Sequence, residues 1–161
     1  MSKDAVMKMI RFMLSIVIIP TFLACNDDHT HTYSAKVIIS TQLAPEAIGP
    51  YSQAVRVGDF LFLSGQIPID PETGEILTDD IGAQTEQVLD NLGAVLAEAD
   101  MRYGDIVHCS VFLANLDDFS TMNEVYARYF PEDPPSRATV EVSRLPRDVR
   151  VEISAIAVKS R

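Results

Sequence analysis

Pro135-Ser136-Arg137-Ala138-Thr139-Val140-Glu141-Val142, followed by Arg144-Leu145-Pro146 and Val151-Glu152-Ile153, sets one arginine and one carboxylate on what read as adjacent strands. Arg137 stands where a Pro-Pro break enters an alternating apolar run, so a guanidinium is held at a strand entrance. Its planar fork matches a carboxylate bidentately, which a lysine ammonium cannot do. Glu152 is of the type that takes a proton from water and returns one to a departing nitrogen. The pair suits hydrolysis of a small molecule that carries a carboxylate. The plainer use of a single arginine is a structural ion pair, here with Glu141 or Asp133, and other parts of the chain must decide between the two.

Three more motifs precede this segment: Ala47-Ile48-Gly49-Pro50-Tyr51-Ser52-Gln53, Leu63-Ser64-Gly65-Gln66-Ile67-Pro68 and Asn123-Glu124-Val125-Tyr126. In order and spacing the four together resemble the RidA (YjgF) family of enamine/imine deaminases. The resemblance runs from about Lys36 to Arg161, and the closing run Glu152-Ile153-Ser154-Ala155-Ile156-Ala157-Val158 is similar to the family's last strand. It implies a chorismate-mutase-like α+β domain that forms homotrimers, with sheets lining a central barrel and active sites in clefts between subunits.

The resemblance further implies hydrolytic deamination of 2-imino acids, or of the 2-enamino acids that tautomerise to them, such as 2-aminoacrylate, to 2-oxo acids and ammonia. Arg137 would hold the substrate carboxylate and the peptide N–H of Thr139 would add a hydrogen bond. Glu152 would position or deprotonate the water. Tyr51 would close the pocket, with Ser64 and Asn123 as supporting polar groups. Bacterial members often carry Cys two positions after the arginine. Thr139 stands there in this chain, which excludes thiol chemistry at that position. Ser154 stands where some relatives carry a second acid, so Glu152 acts without a neighbouring carboxylate to raise its pKa.

The elements that must position these residues follow from periodicity. Lys36-Val37-Ile38-Ile39-Ser40 reads as a short strand, and Ala54-Val55-Arg56-Val57 and Phe60-Leu61-Phe62-Leu63 flank Gly58-Asp59 as a two-residue hairpin. From Asp80 to Ala99 the apolar residues Ile81, Val88, Leu89, Leu92, Val95, Leu96 and Ala99 recur at helical spacing, with Asp79 or Asp80 as the cap. Ile106–Leu113 reads as a buried strand in which Cys109 is a small core residue and His108 has no acid partner. Phe119, Met122, Val125, Tyr126, Tyr129 and Phe130 mark a second helix that opens at Asp117-Asp118 and stops at Pro131. The sum is one mixed β-sheet with two helices on one face. Its other face needs a cover so short a chain lacks, which self-association would supply.

Length and composition agree: 161 residues at 47% hydrophobic content make one modest domain with material for a core. Residues 1–24 differ in kind. Lys3, Lys8 and Arg11 precede the apolar run Phe12–Ile19, and Pro20-Thr21-Phe22-Leu23-Ala24-Cys25 resembles a cleavage site, the pattern of a signal peptide. The uncharged stretch from Phe12 to Cys25 is shorter than the roughly 20 residues a spanning helix needs. Bulky Phe22 three places before the cut argues against the ordinary secretory site, whereas Phe22-Leu23-Ala24-Cys25 resembles a bacterial lipobox. The expectation is lipidation of Cys25, residues 25–35 as a polar tether, residues 36–161 as the domain, and an exported, periplasmic or membrane-anchored lipoprotein.

The whole chain carries a formal charge of -10, and removal of Lys3, Lys8, Arg11 and Asp4 leaves ten bases against 22 acids, or -12. That balance disfavours RNA as a partner, and with it the ribonuclease activity attached to some relatives. His29-Thr30-His31 lacks the third and fourth ligands of a zinc site, and Gly49, Gly65 and Gly74 stand apart rather than in a phosphate loop, so no metal or organic cofactor is expected. The competing function is a non-catalytic, trimeric binding protein for a small carboxylate ligand.

Overall fold

Gly58 and Asp59 fix the first register of the sheet. Gly58 takes the left-handed backbone such a turn requires (φ 62°), and Val57 then faces Phe60 across two antiparallel strands, β2 (Ala54–Val57) and β3 (Phe60–Gln66). The computed structural model describes residues 35–76 and 80–159. The expected signal segment, Cys25, all of the tether except Ala35, and Asp79 lie outside the described residues. The remaining elements are β1 (Lys36–Ile39), α1 (Ile81–Glu98), β4 (Ile106–Leu113), α2 (Phe119–Tyr129), β5 (Ser136–Glu141) and β6 (Val151–Val158).

The described strands form one six-stranded mixed sheet in the order β1-β2-β3-β6-β4-β5. β4 and β5 run parallel, joined through α2, and the other pairings are antiparallel. The last strand enters between β3 and β4, which separates it from the strand before it. This corrects the expectation of adjacent strands for Arg137 and Glu152: β4 lies between them. Consecutive strands are neighbours often enough to make adjacency the natural reading, and the late insertion of β6 overrides it.

Both helices cover one sheet face. From α1, Val88, Leu89, Leu92, Val95 and Leu96 pack on Leu61, Leu63, Val111, Leu113, Val151 and Ile153, all buried. Asp80 caps α1, its carboxylate accepting the Ala83 N–H at 2.7 Å. Asp118 at the entrance of α2 does a different job. Arg150, just ahead of β6, donates to its two carboxylate oxygens at 2.9 and 2.5 Å, and the backbone N–H of Arg150 donates to Gln84 Oε1 at 2.8 Å. One cluster therefore ties α1, α2 and the start of β6 together. Cys109 is fully buried in the core. The opposite sheet face is uncovered in the single chain, with Phe60 and Phe62 still 49% and 47% exposed. His108 lies on that face, its Nδ1 3.0 Å from Ser136 Oγ.

Candidate active site in two halves

Glu152 alternates along β6 with buried Val151 and Ile153 and faces away from the helices, opposite Phe112 of β4. Its side chain lies across Gly65, where a Cβ would overlap the carboxylate, so the glycine is what gives the acid its place. The sheet register between β3 and β6 shifts at this point, between Leu63 and Gln66. Burial raises the Glu152 pKa above the usual glutamate value. The carboxyl opens into a cavity of about 350 Å³ that is also lined by Ile48, Tyr51, Ser64, Gly65, Ile67 and Pro146.

The Gly-Pro-Tyr loop forms one wall of this cavity, and Gln53 anchors the segment 41–45 that leads into it. The buried Gln53 carboxamide accepts the Thr41 N–H at 2.7 Å, and its Nε2 lies 3.0, 3.1 and 2.8 Å from the carbonyls of Thr41, Ala44 and Pro45. Tyr51 is half exposed, with its hydroxyl 3.4 Å from the Ile48 N–H. Ser64 donates its hydroxyl to the Ser52 carbonyl at 2.7 Å, so it fixes the loop to β3 as well as lining the cavity.

Arg137 stands on the other face of the sheet. It pairs in register with Cys109, whose side chain is in the core, and its guanidinium lies 4.6 Å from the ring centroid of Tyr126 and 5.7 Å from that of Phe119, both on α2. Neither structural ion pair considered for it forms. Glu141 instead accepts the Leu116 N–H at 2.8 Å, and among the described residues no carboxylate stands within salt-bridge distance of Arg137. The arginine opens into a cleft of about 470 Å³ with Asn123, Tyr126, Ala127, Phe130, Pro134 and Pro135. Thr139, two residues on, shares the Arg137 face but borders a neighbouring cleft with Leu116, Asp117, Phe119 and Ser120.

The expected site residues thus fall into two sets. Tyr51, Ser64 and Glu152 share one cavity; Arg137 and Asn123 share another, with Thr139 alongside. Within one copy of the chain a carboxylate held by Arg137 cannot reach Glu152, because the sheet separates them. Sequence reasoning missed the supports of each set: Gly65 beneath Glu152, Gln53 behind Tyr51, and the Tyr126 and Phe119 rings beneath Arg137. Gln53 and Gly65 stand inside the motifs that drew attention to Tyr51 and Ser64. Tyr126 and Phe119 read as core positions of a helix, and nothing in their spacing signals a cation nearby.

Residues 41–159 match the family model described as Endoribonuclease L-PSP. A RutC family protein of Pyrococcus abyssi is 56% identical over 125 residues, which cover 78% of this chain and 98% of that protein. The chloroplastic Reactive Intermediate Deaminase A of Arabidopsis thaliana is 44% identical over 76% of this chain and 65% of its own length. The crystal structure of Escherichia coli TdcF with bound serine is similar at a TM-score of 0.74 and 48% identity, covering 77% of this chain and 99% of that one.

Proposed function

Since this chain belongs to the Endoribonuclease L-PSP family, whose members include RutC proteins and reactive intermediate deaminases, we propose that it hydrolyses 2-imino acids and their 2-enamino tautomers, such as 2-aminoacrylate, to 2-oxo acids and ammonia. The observation that carries this reading is the Arg137 guanidinium, which faces a cleft on an aromatic bed with no carboxylate among the described residues within salt-bridge distance of it. A substrate carboxylate supplies the missing partner through a bidentate, charge-assisted pair. Deaminase is the family activity that this site chemistry serves; the net charge of the chain argues against RNA.

In the proposed reaction, Arg137 fixes the carboxylate and so presents C2 of the imine to water, with the Thr139 peptide N–H as an additional donor. Glu152 takes a proton as the water oxygen bonds to C2. Glu152 passes that proton to the nitrogen, giving a carbinolamine; as the C2–N bond breaks, the hydroxyl proton is moved to the nitrogen in turn, so that the 2-oxo acid and ammonia leave. Tyr51, Ser64 and Asn123 close and orient the pocket. Because Arg137 and Glu152 lie on opposite sheet faces, the working site takes its arginine from one copy and its glutamate from the next. A homotrimer whose uncovered sheet faces turn inward satisfies that requirement and covers Phe60 and Phe62.

The test generates 2-aminoacrylate in situ with a pyridoxal-phosphate lyase and follows pyruvate formation with residues 26–161 of wild type, Arg137→Ala, Glu152→Gln and no protein. Acceleration that disappears in Arg137→Ala supports the deaminase. The second reading is a trimeric carboxylate-binding protein without turnover, for which the Arg137 cleft alone would suffice. A folded trimer that binds 2-oxo acids but accelerates no imine hydrolysis would establish it.

Export is part of the proposal. Residues 1–24 act as a lipoprotein-type signal, Cys25 carries the lipid, and residues 25–35 tether the domain to a membrane surface outside the cytosol. Intact-mass analysis of the protein from a bacterial host tests it, and an uncleaved, unmodified Cys25 refutes it.

A further inference from the structure

Of the two rings beneath the Arg137 guanidinium, that of Tyr126 is the nearer, and it is held in turn by a chain of rings. Its own ring lies 4.5 Å from that of Phe130, and Phe130 meets Tyr103 edge-on at 5.8 Å. The Tyr103 hydroxyl donates to the Leu89 carbonyl of α1 at 2.7 Å. Arg137 is thereby referenced to the rigid long helix and not only to its own strand, which is the outermost strand of the described sheet on that side.

The chemistry of the support matters. A carboxylate beneath Arg137 would hold the guanidinium by consuming the N–H donors that a substrate needs, and would cancel the charge that attracts it. An aromatic face attracts the cation through its quadrupole and leaves the N–H edge of the fork free. The Tyr126 hydroxyl takes no part in this: it is buried, with the Cys109 thiol, a weak partner, beside it.

We propose that Tyr126 is a positioning residue for carboxylate recognition, its ring face holding Arg137 unneutralised and oriented toward the cleft while its hydroxyl is dispensable. The proposal rests on the reading of Arg137 as the carboxylate clamp. Its test reads binding apart from turnover. Calorimetry with 2-oxobutanoate as the probe, and steady-state kinetics on the lyase-generated imine, are compared for wild type, Tyr126→Phe, Tyr126→Leu and Arg137→Ala, each checked for folding by circular dichroism.

Tyr126→Phe keeps probe affinity and KM within about twofold of wild type, because the ring remains. Tyr126→Leu weakens probe binding by about tenfold and raises KM to match, with kcat changed much less. Should Tyr126→Leu fail to fold, Tyr126→Met keeps a flexible side chain of comparable bulk without the ring and is read in the same way. Wild-type affinity in a folded leucine or methionine variant overturns the proposal, as does a phenylalanine variant as weak as the leucine one, which would assign the effect to the hydroxyl. If wild type binds the probe but turns over no imine, the deaminase reading fails while the Tyr126 test still stands. If wild type binds no better than Arg137→Ala, the clamp and its support fall together.

Discussion

Glu152 shows how far a single residue depends on what lies beneath it. Burial raises its pKa, so as pH falls the carboxylate takes up its proton earlier than an exposed glutamate would, and the acid limb of the rate profile should stand above the ordinary glutamate range. Glu152→Gln should remove most of the activity at every pH, read by pyruvate formation across a pH series. The stability sign is opposite. A folded-state pKa above the unfolded value means that this group favours the fold most below the unfolded pKa and loses that contribution as pH rises through the folded pKa. At neutral pH the glutamine variant should therefore be as stable as wild type or more so, a comparison that urea unfolding at pH 5 and pH 8 makes directly. Gly65→Ala tests the same place from the backbone side. The added methyl must displace the Glu152 carboxylate, so activity should fall by about tenfold or more while the protein remains folded.

The elements hold the two half-sites in place through a few specific contacts. Gly93 lies within α1, where alanine would ordinarily gain about 1 kcal/mol of helix propensity. Here the added Cβ would collide with the Tyr103 hydroxyl, breaking its bond to Leu89 and shifting the ring chain under Arg137. Gly93→Ala should therefore be destabilising by about 1–2 kcal/mol, visible as a lower thermal midpoint. The Asp118–Arg150 pair joins the entrance of α2 to the start of β6, with Asp118 nearly buried and Arg150 partly exposed. Asp118→Ala should cost about 1–2 kcal/mol in chemical denaturation, less than a fully buried pair because water screens the arginine side.

At the scale of the whole molecule, the uncovered sheet face and the divided site pose the same requirement. Phe60 and Phe62 remain half exposed, and Glu152 turns to their side of the sheet while Arg137 turns to the other. If copies assemble through that face as the proposed trimer, Phe62→Glu should put a charge into the contact and leave a folded monomer. Light scattering would measure this. The monomer should have lost imine hydrolysis, since within one copy the sheet keeps Arg137 and Glu152 apart. A Phe62→Glu protein that remains trimeric and active would place the interface elsewhere.

The sequence by itself determined the element order, because local spacing decides it: Gly58-Asp59 makes the hairpin, the three- and four-residue apolar steps make α1 and α2, and Asp80 caps the first. It also marked Tyr51, Ser64, Asn123, Arg137, Thr139 and Glu152, since their motifs are contiguous. Only the tertiary structure decided how they are divided. Strand pairing is a long-range choice, and nothing local in Val151–Val158 tells it to enter between β3 and β4. Sheet face follows from register, so the opposite orientations of Arg137 and Glu152 became legible only with the partners Cys109 and Phe112. The aromatic bed was hidden for a similar reason: a tyrosine at a core spacing of a helix looks the same whether its ring packs on leucine or carries a guanidinium.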